Sequence, residues 1–247
     1  MSQRLKLIVA YDGAPFSGWQ SQANRNGVQD HLERAFERVS GERVRVHGAG
    51  RTDAGVHALA QCAHVDLAKK RLLPERWLKA LNASLPSTIR ILRCHAVSKQ
   101  FHARFSAKAK TYRYRIWSGP VLPPLEHGRA WHVISKIDMK RLESAARNFV
   151  GTHNFAGFSA NRGQAESDTV RTLHNVRIRK RGAEITLDFV GDGFLYKMVR
   201  LIVGSLVQCA TDKMSIQELV GRLSNWKNSG DRLTAPAHGL FLIRVRY

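Results

Sequence analysis

The alternation of apolar and polar positions marks out the first elements. Leu5-Lys6-Leu7-Ile8-Val9-Ala10-Tyr11 reads as a strand, and Asp12-Gly13 ends it. From Val28 the period changes. Val28, Leu32, Ala35, Phe36 and Val39 fall on one face of a helix. Alternation returns over Arg43 to His47 and breaks at Gly48-Ala49-Gly50. Gln61 to Leu67 and Ile89 to Val97 have strand character, and Pro74 to Leu81 between them is helical with Pro in its first turn. A further strand covers Thr111 to Trp117.

The second half is similar in kind. Asp138 to Val150 is a helix with Asp138 as N-cap and Gly151 just past its end. Val176 to Arg179 and Glu184 to Val190 alternate as two strands joined by Lys180-Arg181-Gly182. Phe194 to Cys209 is a long apolar helix, Ile216 to Leu223 a shorter one, and Leu240 to Tyr247 a last strand. Two halves that each mix antiparallel strands with two helices predict an α+β protein with helices on one sheet face. The element order suggests two ferredoxin-like (RNA-recognition-motif-like) halves, residues 1–105 and 106–247, joined around a central catalytic cleft.

Charge narrows the partners. The 247 residues carry 40 Lys plus Arg against 19 Asp plus Glu, a net +21. So basic a surface attracts polyanions and releases their counterions on binding, which makes nucleic acid the leading partner. Cys62, Cys94 and Cys209 form no CxxC pair, so neither a zinc knuckle nor a disulfide framework is expected. The N-terminus enters a strand without a signal-peptide core. The densest apolar run, Leu201 to Val207, is far below the ~20 residues a membrane span needs. A cytoplasmic protein is expected.

Gly48-Ala49-Gly50-Arg51-Thr52-Asp53-Ala54-Gly55-Val56-His57-Ala58 combines a glycine-rich turn with a carboxylate and a guanidinium two positions apart. Glycines let a backbone turn sharply and let a ligand approach closely. Asp-Ala-Gly is also ordinary turn chemistry, so residue types alone leave both readings open. The segment from Gly50 to Ala58 resembles the signature of the tRNA pseudouridine synthase A family. The resemblance continues in order along the chain. It includes Tyr11-Asp12-Gly13 with Phe16-Ser17-Gly18-Trp19-Gln20, then Leu81 to Pro86, Phe101-His102-Ala103-Arg104-Phe105 and Lys110-Thr111-Tyr112-Arg113-Tyr114. Gly193 to Arg200 and Thr234 to Leu240 complete it. One departure is visible: His153-Asn154-Phe155 stands where the family usually has His-Asp-Phe, which keeps hydrogen bonding and loses a charge.

The resemblance implies isomerisation of uridine to pseudouridine in the anticodon stem-loop of tRNA, just 3′ of the anticodon. No cofactor is implied, and no GxGxxG, Walker-type loop or metal cluster stands in the sequence. Asp53 is implied as the catalytic carboxylate, attacking the anomeric carbon or removing a proton from the neighbouring sugar carbon. Arg200, in an apolar stretch where an unpaired charge is costly, is implied as its cationic partner. Arg51 is implied to assist extrusion of the target nucleotide, and Tyr112 to be the active-site tyrosine, its ring suited to stack on the flipped uracil and its hydroxyl to assist proton transfer. Lys197, three residues before Arg200 on the same helix face, is read as a phosphate contact. Strand alternation puts Tyr112, Tyr114 and Ile116 on one face and Arg113 and Arg115 on the other, with Tyr114 a packed core aromatic. His57 and His64 are expected to be structural. Lys69-Lys70-Arg71, Arg76 with Lys79, Lys108 with Lys110, and Arg177 to Arg181 are expected to track RNA backbone collectively. The resemblance also implies a homodimer holding one tRNA across both subunits.

Two other classes compete. A non-catalytic RNA-binding protein explains the charge but not the carboxylate in its glycine-rich turn. A metal-dependent nuclease needs converging carboxylates, and none cluster beside Asp53 in the sequence.

Overall fold

The computed structural model describes residues 2–68, 72–160, 168–224 and 232–247. The expected phosphate-tracking run Lys69-Lys70-Arg71 lies outside the described residues. The chain forms two compact units, Met1–Lys108 with Phe241–Tyr247, and Ala109–Leu240. A single cut at 105/106 places the last strand in the second half; the structure returns it to the first.

In unit 1, β1 (Gln3–Tyr11) is flanked by β3 (His57–Leu67) and β4 (Ile89–Val97), both antiparallel to it. The outer edge of β3 takes two short partners. β2 (Val46–Gly48) pairs antiparallel at Ala63 to Val65, and β10 (Leu240–Arg246) pairs parallel at His57 and Ala58. Strict alternation buries Leu5, Leu7, Val9 and Tyr11 of β1. Helices α1 (Val28–Ser40) and α2 (Pro74–Ser84) pack on each other, with Phe36 and Trp77 fully buried and their rings 5.3 Å apart. The Asn82 amide ties α2 to β4 twice over: it donates to the Ile91 carbonyl and accepts from the Ile91 amide, both at 2.8 Å. The opposite face carries Ala49, Cys62 and Ala103 with Ile8, Phe101, Val245 and Tyr247 packed on them. Lys6 reaches over this patch, its Nζ 4.2 Å from the Tyr247 ring centroid.

In unit 2, the order is β5-β9-β8-β7, from β5 (Ala109–Trp117), β7 (Gly151–Asn154), β8 (Val170–Arg181) and β9 (Glu184–Gly191), all antiparallel neighbours. A two-residue β6 (Trp131–His132) lies parallel to the end of β5. Tyr112, Tyr114, Ile116, Ile185, Leu187 and Phe189 form the buried face. On the other face Arg113 makes a bidentate pair with Asp188, at 2.7 and 2.8 Å, and Arg115 bonds Glu184 and Glu126. The alternation expected along β5 therefore holds, and both arginines are engaged by carboxylates. The helices are α3 (Met139–Arg147), α4 (Met198–Ala210) and α5 (Ile216–Ser224).

Several boundaries differ from the sequence expectations for identifiable reasons. The Asp138 cap is present, its carboxylate accepting from the Lys140 and Arg141 amides. That helix stops at Arg147 because Asn148 caps it, and Gly151, at φ 113, opens β7 instead. The long apolar helix begins at Met198, not Phe194, because Lys197 is left-handed at φ 58. The unexpected β7 reads Gly-Thr-His-Asn and has no apolar alternation to announce it. In place of a second split arrangement, β7, β8 and β9 form a meander. Among the described residues, no helix is long and apolar enough to cross a membrane.

Two helical glycines give a matched test of packing. A Cβ on Gly204 of α4 falls 1.9 Å from the Leu233 carbonyl oxygen, while one on Gly221 of α5 meets nothing within 4 Å. Gly204→Ala should lower unfolding free energy by about 1–3 kcal/mol despite its better helix propensity. Gly221→Ala should raise it by about 0.5–1 kcal/mol. Urea melts of the two variants check the opposite signs.

His64 supplies a pH signature. Burial first, then Arg4 and the neighbouring histidines, pushes its ring down from 6.5 to about 4. Below pH 6.5 the unfolded chain takes up a proton that the folded ring refuses. Its contribution is thus complete above that value and declines as pH falls toward about 4. The ring signals in NMR should titrate near the lower value; a midpoint at the ordinary one contradicts the burial.

Candidate active site

The segment from Ala49 to Val56 connects β2 to β3 and is held along its length. At its start the Ala49 amide donates to the Cys62 carbonyl at 2.8 Å, and the Gln61 side chain donates to the Gly50 carbonyl at 2.8 Å. Thr52, beside the carboxylate, is buried and fixed twice. Its carbonyl accepts from the Trp19 amide at 3.0 Å, and its hydroxyl bonds the Tyr11 hydroxyl at 2.8 Å. On the far side the Val56 amide donates to the Asp53 carbonyl at 3.1 Å, and Val56 is buried. A Cβ on Gly13 falls 2.1 Å from the Val56 carbonyl oxygen, so the turn after β1 presses directly on this segment. Asp53 sits half-buried between the two anchors, while Arg51 and Ala54 are exposed.

The groups around the loop are held neutral or structural. Burial pushes the Tyr11 hydroxyl well above its ordinary value, so it serves as a neutral hydrogen-bonding group and not as a base. His57 is buried, stacks on Phe241 at 4.6 Å and accepts the Gly13 amide at Nδ1, 3.1 Å away. The Asp12 carboxylate also lies 3.1 Å from that nitrogen. His64 likewise accepts the Ala103 amide at 3.1 Å. Both histidines are buried and bonded to backbone amides.

Unit 2 gathers the other expected residues around the start of α4. Tyr112, 6% exposed, meets Phe194 edge to face at 4.9 Å. Lys197 is the left-handed residue that opens the helix, its Nζ 5.3 Å from the Tyr196 ring. Arg200, in the first turn, is half-buried, and its chain neighbours Val199 and Leu201 are buried. It exchanges two bonds with Ala235: Nε donates to the Ala235 carbonyl at 2.8 Å, and the Ala235 amide donates to the Arg200 carbonyl at 3.1 Å. Tyr114 is fully buried and donates to the Pro236 carbonyl at 2.7 Å, which fits its expected place in the core. Tyr112 thus meets the segment that leads into α4, and Ala235 meets the first turn of the helix itself.

Asn154 uses its side-chain oxygen locally, accepting from the Ala156 amide at 3.0 Å and the Thr169 hydroxyl at 2.7 Å. The amide meets these demands without the charge an acid would bring. Among the described residues, no group of three or more His, Cys, Asp or Glu could hold a metal ion. Arg76, Lys79, Lys108, Arg177, Arg179, Lys180 and Arg181 are exposed, Lys110 is half-buried, and Arg179 approaches Asp188 at 3.8 Å.

Sequence inspection singled out neither Thr52 nor Phe194, because each owes its place to a partner distant in the chain. Thr52→Val should remove one bond from the buried Tyr11 hydroxyl, which keeps Gln61 as a partner, at a cost of about 0.5–1.5 kcal/mol. Adding Tyr11→Phe should recover part of that loss. Strictly additive losses in a chemical-denaturation cycle would show that the two hydroxyls do not act together.

A family model described as tRNA pseudouridine synthase matches residues 7–106 and 145–247. The tRNA pseudouridine synthase A of Akkermansia muciniphila is 44% identical over 252 residues, covering 99% of this chain and 95% of the relative. Its counterpart in Bacillus licheniformis is 41% identical over 247 residues, with 99% of each chain covered. That of Acetivibrio thermocellus is 39% identical over 245 residues, covering 99% of this chain and all of the relative. With this identity sustained over nearly the full length of both partners, the chain belongs to the tRNA pseudouridine synthase family.

Proposed function

We propose that this protein isomerises uridine to pseudouridine in tRNA, in the anticodon stem-loop just 3′ of the anticodon, with Asp53 as the catalytic carboxylate. The bond between N1 of uracil and the anomeric carbon breaks, and a bond from C5 to the same carbon forms. C5 gives up a proton and N1 gains one, so nothing is added or lost and no cofactor is called for. The observation that carries the proposal is the double anchoring of Thr52 and Val56 on either side of Asp53 in a chain of this family. Preorganised placement of the reacting group is what such a rearrangement asks of the protein.

Under this proposal Asp53 attacks the anomeric carbon or takes a proton from the adjacent sugar carbon. Arg200 supplies the cation that favours an ionised carboxylate, held in place by Ala235. Arg51, exposed beside Asp53, assists extrusion of the nucleotide. Tyr112, backed by Phe194, stacks on the uracil, and Lys197 contacts phosphate. Unit 1 we read as ferredoxin-like, on the strength of its βαββαβ element order and its β4-β1-β3-β2 sheet. We also propose a cytoplasmic homodimer that holds one tRNA across both subunits.

The test is an unmodified tRNA transcript carrying uridines 3′ of the anticodon, incubated in chelator, with pseudouridine read by carbodiimide labelling and reverse-transcription stops. The wild type should produce stops at those uridines. Asp53→Asn should lose at least about 10²-fold in rate while still binding the tRNA. Arg200→Ala added to Asp53→Asn should cost far less than it does alone, because groups that act as a unit are non-additive. Binding without stops from the wild type would leave a non-catalytic RNA-binding protein.

A further inference from the structure

The turn over residues 98–108, between β4 and β5, is locked by its own side chains. His102 accepts two amides at Nδ1, from Arg104 at 3.1 Å and Phe105 at 3.2 Å. The Ser106 amide donates to the His102 carbonyl at 2.9 Å, and the Ser106 hydroxyl accepts the His102 amide at 3.0 Å. Ala103, fully buried, donates to His64 Nδ1 at 3.1 Å and accepts the Tyr247 hydroxyl at 2.7 Å. Burial and the surrounding cations hold both His64 and His102 below their ordinary values, so their Nδ1 atoms stay free to accept at neutral pH.

This fixed turn holds Phe105 outward, 78% exposed. A loop free to move could fold such a ring away; this one has its amides committed to His102 and His64. The ring is backed by others in series. Phe105 lies 4.4 Å from His102 at a 30° tilt, His102 lies 4.6 Å from His64, and His64 stacks on exposed His47 at 4.9 Å. Exposed Arg104 places its guanidinium carbon 5.7 Å from the Phe105 centroid, and exposed Lys108 follows on the same turn.

We propose that Phe105 is a stacking platform for a nucleobase of the bound RNA, a second base beyond the target uridine, with His102 supporting the ring from behind and Arg104 facing the adjoining phosphate. The chemistry on the page selects this occupant. A single flat π-face beside cations offers little to an apolar protein surface, whereas it matches a base and its phosphate together. The net charge of +21 favours the same polyanion. The proposal rests on the chain acting on RNA, but not on the role of Asp53.

The test compares wild type, Phe105→Ala, Phe105→Leu and Phe105→Trp by fluorescence anisotropy, using a labelled unmodified tRNA transcript and a short labelled oligouridylate. Because the ring is exposed, the variants should melt with the wild type. Ala and Leu should weaken binding about tenfold. Trp should restore it, with indole emission quenched by RNA. Wild-type binding by Phe105→Ala, rescue by Leu equal to that by Trp, or a wild type that binds neither RNA overturns the platform. A change of oligomeric state in Phe105→Ala also overturns it, because the ring would then face a second copy. If the wild type binds but forms no pseudouridine, the activity fails and the platform stands. If it forms pseudouridine and Phe105→Ala binds equally well, the reverse holds.

Discussion

The candidate site depends on one buried contact, the hydroxyl pair of Tyr11 and Thr52. It joins the end of the central strand β1 to the residue next to Asp53. The two hydroxyls, 2.8 Å apart and both buried, satisfy each other, and the Gln61 side chain bonds the tyrosine hydroxyl as well. The Trp19 amide, bonded to the carbonyl of the same threonine, adds a second tie from a separate loop. A short polar segment that would otherwise sample many conformations is thereby referred to the sheet itself. The close approach of Gly13 to Val56 acts on the other end, so the carboxylate between them inherits the rigidity of β1.

Unit 2 achieves a similar result by different means. Arg200 is set by a reciprocal exchange with Ala235, and Gly204, one turn later, lets the same segment lie against α4 without a side chain between them. The guanidinium is oriented by the backbone carbonyl that its Nε meets. This explains how a cation stays on so apolar a helix: Nε is already matched, and the half-buried remainder keeps access to polar surroundings.

Much of the architecture was legible because long periodic runs carry their own signal. β1, α1, β4 and β5 follow from alternation or helical spacing alone. β6 and β7 were not, being too short and too polar to show a period. The start of α4 was hidden because a left-handed Lys197 leaves no mark in hydrophobicity. Asp53 and Arg200 stood out through ordered motifs, not through residue type. Thr52, Phe194 and the locked turn under Phe105 depend on partners far away in the chain, and no local pattern records them.

The return of β10 to unit 1 bears on the order of synthesis. Residues 241–247 supply a strand beside β3, and Tyr247 bonds the turn at Ala103 and faces the Lys6 ammonium. A ribosome must therefore translate all of unit 2 before unit 1 can close. Until then the outer edge of β3 at His57 and Ala58, directly after the Asp53 loop, lacks the neighbour it has in the finished fold. A nascent chain thus holds the strand that follows the Asp53 loop without its parallel neighbour until residues 241–247 emerge, which ties closure of the amino-terminal unit to synthesis of the other.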